Sequence, residues 1–317
     1  MKALWLENRQ VSLRELPDLK PAEGEALLEI ELAGVCSTDL EMLRGYYPFT
    51  GVPGHEFVGN VAAAPGNASW VGKRVVGEIN ITCGSCRACL NGIKTHCENR
   101  TVLGISGRDG VFAERALLPV ANLHEIPQGL PSKAAVFTEP LAAALQILEQ
   151  VHIRPRERIF LAGAGRLGQL IARVLAATGC ELLVAARHAE QRCLLEQAGI
   201  ACVAEEAVPR RWADIAVEAT GSPSGFAMAR QALRPRGILV LKSTYAGDLS
   251  LNMSSLVVDE ITLVGSRCGP FEPALRWLAE GRLDPTALIS GRYPLERGVE
   301  ALAQAGKPGI FKILIQP

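Results

Sequence analysis

The stretch Arg158-Ile-Phe-Leu-Ala-Gly-Ala-Gly-Arg-Leu-Gly-Gln-Leu-Ile-Ala-Arg-Val-Leu-Ala-Ala177 decides the fold. Ile159 to Ala162 is an apolar run of the length of one buried parallel strand. Gly163-Ala-Gly165-Arg-Leu-Gly168 follows at once, and an amphipathic run opens directly behind it. Strand, glycine turn and helix start is the order that a dinucleotide pyrophosphate needs. Gly163 permits the tight turn, Gly165 lets the backbone approach the phosphates, and Gly168 lets helix and strand pack closely. The helix N-terminus offers unpaired N–H groups to the anion, which adds Arg166 and Leu167 to the candidate cofactor site. A bare glycine pattern is weak evidence; the strand before it and the helix after it separate this one from an ordinary βα turn.

Outward from this stretch the pattern divides. Downstream, Leu182 to Ala185, Ala213 to Val217, Gly237 to Leu241 and Ile261 to Val264 read as strands separated by segments of helical period. That alternation predicts a parallel, doubly wound sheet. Upstream, short β-type runs dominate: Ala26 to Leu32, Val111 to Leu118 and Leu123 to Ile126, with Pro17, Pro21 and Gly24 as breakers. The tail predicts helices over 273–280 and 295–305 and a last strand, Phe311 to Ile315. A length of 317 residues suggests two domains.

Lys+Arg and Asp+Glu are equal at 33 each, and this zero balance argues against a nucleic-acid or membrane-surface protein. No apolar run approaches the roughly 18 residues of a membrane span, and Met1-Lys2 opens into a strand-like stretch, unlike a signal peptide. The nine cysteines are odd in number and four are clustered, which reads as metal binding before disulfides. The expected compartment is reducing cytoplasm.

Cys83-Gly-Ser-Cys86-Arg-Ala-Cys89, closed by Cys97, is the most specific signal in the chain. Four thiolates at this spacing wrap one tetrahedral ion and leave no open position, so the site is structural. His96 adjoins the last cysteine, but the shell is already full. A second set is dispersed: Cys36-Ser-Thr38-Asp39 and, nineteen positions after Cys36, His55 within Gly54-His55-Glu56. Thiolate, imidazole and carboxylate are all good Zn²⁺ ligands, and beside a nucleotide motif they point to a second metal site.

These motifs, with Thr138-Glu139-Pro140-Leu141 between the cysteine lobe and the glycines, resemble the zinc-dependent medium-chain alcohol and polyol dehydrogenases nearly end to end. The resemblance implies an α/β architecture. A β-rich GroES-like catalytic domain, discontinuous over 1–140 and 267–317, is joined to a doubly wound parallel-sheet Rossmann domain over 141–266, with the active cleft where they meet. It implies about two zinc ions per chain, one catalytic and one structural. Cys36 and His55 would bind the catalytic ion, Glu56 would be a ligand or a close supporting carboxylate, and Glu139 would stand in the remaining protein-ligand position. The Glu139-Pro140-Leu141 form is similar to the sorbitol and glucose dehydrogenase branches. Asp39 would orient His55 through its second ring nitrogen, and Thr38 would hydrogen-bond the substrate hydroxyl and start the proton relay. Hydride would pass between an alcohol, polyol or sugar and a nicotinamide ring, with zinc acting as the Lewis acid.

Two positions depart from the commoner family pattern. Glu41 stands where many alcohol dehydrogenases have a relay histidine. Arg187 follows the second strand of the doubly wound sheet, where an NAD enzyme places an acidic residue for the ribose 2′-OH. With His188 and Arg192 near it, Arg187 suits a 2′-phosphate and favours NADP over NAD. Tyr46, Tyr47, Phe49 and Trp70 are candidate pocket walls. The family also implies a homodimer or homotetramer, with Ile261 to Val264 as the pairing edge. The alternative reading is a catalytically silent zinc- and nucleotide-binding regulatory protein of the same fold, which a missing zinc ligand would favour; none is missing.

Overall fold

The computed structural model describes residues 1–46, 48–244 and 248–317. The chain forms two compact units, Met1–Glu139 with Phe271–Pro317, and Pro140–Pro270. The discontinuity follows from strand pairing. The tail strand Lys312–Gln316 lies antiparallel to Glu25–Gly34, with Leu314 opposite Gly34 and Ile315 opposite Ala33.

In the unit Pro140–Pro270, six strands pair in the order Cys202–Val203, Glu181–Ala185, Arg158–Ala162, Ala213–Glu218, Leu233–Leu241 and Thr262–Gly265. Every pair is parallel. Ile159, Phe160, Leu161 and Ala162 are fully buried, as a central parallel strand covered on both faces must be. The order reverses at Arg158–Ala162, so Gly163 leaves the sheet at a topological switch point, where such sheets bind ligands. Cys202–Val203 had no sequence signal, because two residues carry no period.

In the other unit the main sheet runs Leu123–Glu125, Arg74–Gly77, Glu56–Ala63, Glu25–Gly34, Lys312–Gln316 and Ile289–Pro294, and Arg115–Pro119 pairs with Glu25–Gly34 off that path. The predicted strand Val111 to Leu118 is shorter than expected and forms only over Arg115–Pro119. Its front half does other work: the N–H groups of Val111 and Phe112 donate to the carbonyls of Gly54 and Pro53 at 3.0 Å each. They brace the turn that carries His55. Gly54 has φ +97°, and a Cβ there would meet the Phe112 ring at 2.6 Å, so only glycine fits. The tail helices are Phe271–Ala279 and Gly298–Ala305, the latter preceded by a 3-10 turn over Leu295–Arg297.

Candidate functional site

The strand Glu25–Gly34 ends beside Glu56, the first residue of its partner strand. Two residues on, Cys36 caps the helix Ser37–Leu43, and its N–H donates to Asp39 Oδ2 at 2.8 Å. This cap fixes both the thiol and the carboxylate. Asp39 Oδ1 then lies 3.4 Å from His55 Nδ1, with both side chains buried. The donor atoms of Cys36, His55 and Glu56 all lie within 4.8 Å of one another. Gly34 makes room for this group, since a Cβ there would fall 2.5 Å from Glu56 Oε2.

The cluster fits a bound cation. Glu56 Oε1 is buried without a hydrogen-bond partner, a costly arrangement that an ion beside it relieves, whereas Asp39 Oδ1 and His55 Nδ1 face each other. The other Glu56 oxygen accepts from Lys312 Nζ, which also donates to the Val35 carbonyl at 3.3 Å. Lys312 is 4 % exposed and stands 5.5 Å from the Phe137 ring centre. Burial alone would lower the His55 pKa, but the Asp39 carboxylate and the Cys36 sulfur outweigh it and hold the imidazole well above its usual range. Sulfur, imidazole and carboxylate together suit zinc.

Glu139 lies outside this triplet, half-buried in the first turn of the helix Thr138–Gln150, where the helix dipole favours a carboxylate. Thr38 Oγ1 is 3.8 Å from Cys36 Sγ. Glu41 accepts from Arg44 Nη1 at 2.5 Å. Trp70 packs against the core with Lys73 over its ring at 4.9 Å, and Tyr47 lies outside the described residues. A groove of about 810 Å³ beside Trp70, His124 and Arg276 contains none of the cluster residues.

The cysteine lobe is closed. Cys86 and Cys89 sulfurs are 3.5 Å apart, as are those of Cys83 and Cys97, and all four lie within 4.8 Å of one another. A tetrahedron with Zn–S of about 2.3 Å has sulfurs about 3.8 Å apart, whereas a disulfide would bring two to about 2 Å. Hydrogen bonds from the Ser85 and Cys86 backbone, then from the Ser85 hydroxyl and Cys97, lower the Cys83 pKa to about 5. Burial and the neighbouring thiols push Cys89 up to about 11. His96 takes no part and pairs with Thr95 Oγ1 at 3.0 Å.

In the glycine turn, Gly163 and Gly168 are required by the packing around them. Gly163 has φ +101°, and a Cβ there would strike Thr220 Cγ2 at 2.8 Å. A Cβ on Gly168 would lie 2.2 Å from the Gly163 carbonyl oxygen. Gly165 differs: it caps the helix Arg166–Ala176, and a Cβ there would meet nothing within 4 Å. Protein packing does not require a glycine at 165, and the space beside its backbone is open. Arg166 and Leu167 form the first turn of that helix.

The cations behave less simply. Arg187 holds Glu205 by two hydrogen bonds, Nε to Oε1 at 3.0 Å and Nη2 to Oε2 at 3.1 Å. Arg192 turns inward, and its Nη1 donates to the carbonyls of Ala186 and Arg187 at 3.0 Å each. It therefore fixes the backbone under Arg187, where it was expected to reach for a phosphate itself. His188 is the N-cap of the helix Ala189–Gln197, and its N–H donates to Gln191 Oε1 at 3.2 Å. Sequence reasoning missed Lys312 and Glu205. For Lys312 a signal was present, a cation inside the apolar strand Phe311 to Ile315; for Glu205 there was none.

Residues 22–128 match the family model of the alcohol dehydrogenase GroES-like domain, and residues 167–280 match that of the zinc-binding dehydrogenases. The chain is 30% identical to the L-threonine 3-dehydrogenase of Pyrococcus furiosus, covering 92% of this chain and 91% of that one. It is 25% identical to a sorbitol dehydrogenase of Halalkalibacterium halodurans over 96% and 95%. Among solved structures it resembles a Sinorhizobium meliloti 1021 protein bound to NADP and provisionally described as a zinc-binding dehydrogenase. That likeness has a TM-score of 0.92 at 27% identity and covers 100% of this chain and 99% of the other.

Proposed function

The chain belongs to the zinc-dependent medium-chain alcohol and polyol dehydrogenases, and on that premise we propose that it interconverts a secondary alcohol or polyol and its carbonyl with NADP as the preferred cofactor. The observation that carries the reading is the convergence of Cys36, His55 and Glu56, with the buried Glu56 Oε1 lacking any hydrogen-bond partner. When bound there, zinc supplies Lewis acidity toward an alcohol or carbonyl oxygen, and the nicotinamide supplies or takes the hydride. Cys36, His55 and Glu56 hold the ion. Asp39 fixes the imidazole face. Lys312 holds one Glu56 oxygen and leaves the other for the metal. Glu139 is the further carboxylate of the site. The Thr38 hydroxyl takes the substrate's proton and passes it to water, since Glu41 is engaged by Arg44.

A second zinc in the cysteine lobe is part of the proposal, supported by the sulfur spacing. For NADP the support is Arg187 and the absence of a carboxylate at the end of Glu181–Ala185. We propose a cytoplasmic location, for which nine free cysteines speak. No helix among the described residues is long and apolar enough to cross a membrane. We also propose a homodimer or homotetramer paired through the edge strand Thr262–Gly265, which carries the exposed Leu263 and follows the exposed Val257 and Val258. A substrate panel of polyols, secondary alcohols and their carbonyls, read by formation or consumption of NADPH and NADH, tests the reaction. Turnover of polyols or secondary alcohols is expected; none with any of them overturns it.

A further inference from the structure

We infer that Glu205 sets the cofactor selectivity of this chain by occupying the Arg187 guanidinium edge that a 2′-phosphate requires. The inference rests on the NADP reading of Arg187. Arginine recognises phosphate with two parallel N–H donors, and that geometry is already satisfied here by a carboxylate on Nε and Nη2.

The pair is built by the sheet. Glu205 opens the 3-10 turn Glu205–Ala207 directly after the strand Cys202–Val203. That strand lies parallel to Glu181–Ala185, with Ala185 opposite Val203, and the Ala186 N–H donates to the Val203 carbonyl at 3.0 Å. Arg187 and Glu205 therefore leave the carboxyl ends of adjacent parallel strands side by side, next to the strand that carries the glycine turn. Arg192 donates to the carbonyls of Ala186 and Arg187, which braces the backbone beneath the Arg187 side chain. Arg187 is 60% exposed and accessible to a ligand, whereas Glu205 is 28% exposed. Both Glu205 and Glu206 act electrostatically on the guanidinium, which strengthens its hold on the carboxylate that a phosphate must displace.

A cofactor without a 2′-phosphate leaves the ion pair intact. One with it must displace Glu205 from Arg187. Glu205 thus restrains the preference for NADP while leaving binding of NAD largely unaffected, and the acidic group absent from one strand end acts from the next.

The test is calorimetric titration of the zinc-loaded full chain with adenosine 2′,5′-bisphosphate and with 5′-AMP, in native protein, Glu205→Gln, Arg187→Gln and the double variant. Glu205→Gln should tighten the bisphosphate about threefold or more, the scale of an exposed ion pair, and change 5′-AMP less than about twofold. In the Arg187→Gln background the same substitution should have no effect, because it acts through the guanidinium. If Arg187→Gln weakens the bisphosphate but Glu205→Gln changes nothing, the Glu205 inference fails and the NADP reading stands. If Arg187→Gln leaves the bisphosphate unaffected, the NADP reading fails and takes the inference with it. An undiminished Glu205→Gln effect without Arg187 assigns it to direct repulsion and overturns the competition.

Discussion

Replacing Lys312 by Met tests how the buried cluster is balanced. Methionine keeps a long unbranched side chain in the apolar strand and removes the charge together with its hydrogen-bond donors. Lys312 and Glu56 have side chains 5% and 1% exposed, so solvent cannot take over the lost partner. Breaking a buried ion pair by removing one member costs about 3–5 kcal/mol, because the other charge stays buried and uncompensated. That figure applies to the metal-free chain. With zinc on Glu56, the ion supplies the compensating charge, and the loss falls toward the about 1–2 kcal/mol of the missing hydrogen bonds. Denaturant unfolding of native and variant protein, each zinc-loaded and each chelated, isolates the difference, since removal of the lobe zinc is common to both proteins. The variant should lose about 2 kcal/mol more when chelated than when loaded. Equal losses in the two states would refute the idea that Lys312 and the metal balance the same carboxylate.

Other perturbations separate the remaining parts. Cys89→Ser should lower zinc content by one ion per chain and reduce the melting temperature, because binding at a closed site is also folding free energy; retention of both zinc ions and of stability counts against the structural role. Arg187→Asp should shift kcat/KM toward NAD by about tenfold or more, with zinc content unchanged, and no shift would return Arg187 to an ordinary surface charge. The His55 pKa is raised in the metal-free fold, so its contribution to stability is complete below the unfolded value of about 6.5 and disappears as pH climbs through the folded value. Zinc must displace that proton. Addition of zinc to metal-free protein near neutral pH should therefore release protons to an indicator dye, with affinity rising with pH, and binding without release contradicts the assignment.

Local features were legible in the sequence and distant pairings were not. The glycine turn and the cysteine lobe each lie within about one supersecondary unit, where spacing alone constrains geometry. Cys36, His55 and Glu56 were readable as a group because both motifs keep their ligands within a few residues of a turn or cap. Lys312 reaches Glu56 from 256 residues away, through a strand pairing that no local period announces. The Arg187–Glu205 pair depends on Cys202–Val203 joining the sheet, and a two-residue strand has no pattern. Val111 and Phe112 looked like strand and instead brace the Gly54 turn, because their N–H groups find carbonyls there. Arg192 was read as a phosphate ligand from its position near Arg187, but the helix start turns its guanidinium onto the carbonyls behind it.

The central claim is that chemistry resides at Cys36, His55 and Glu56 while the lobe and the dinucleotide unit serve structure and binding. Turnover by Cys36→Ser of whichever alcohol the native chain oxidises, measured at saturating NADP, tests it most directly. Loss of turnover by about a thousandfold or more is expected, with NADPH binding and melting close to native, because the thiolate serves the metal and not the core. Turnover within about tenfold of native would place the reaction elsewhere and contradict the account.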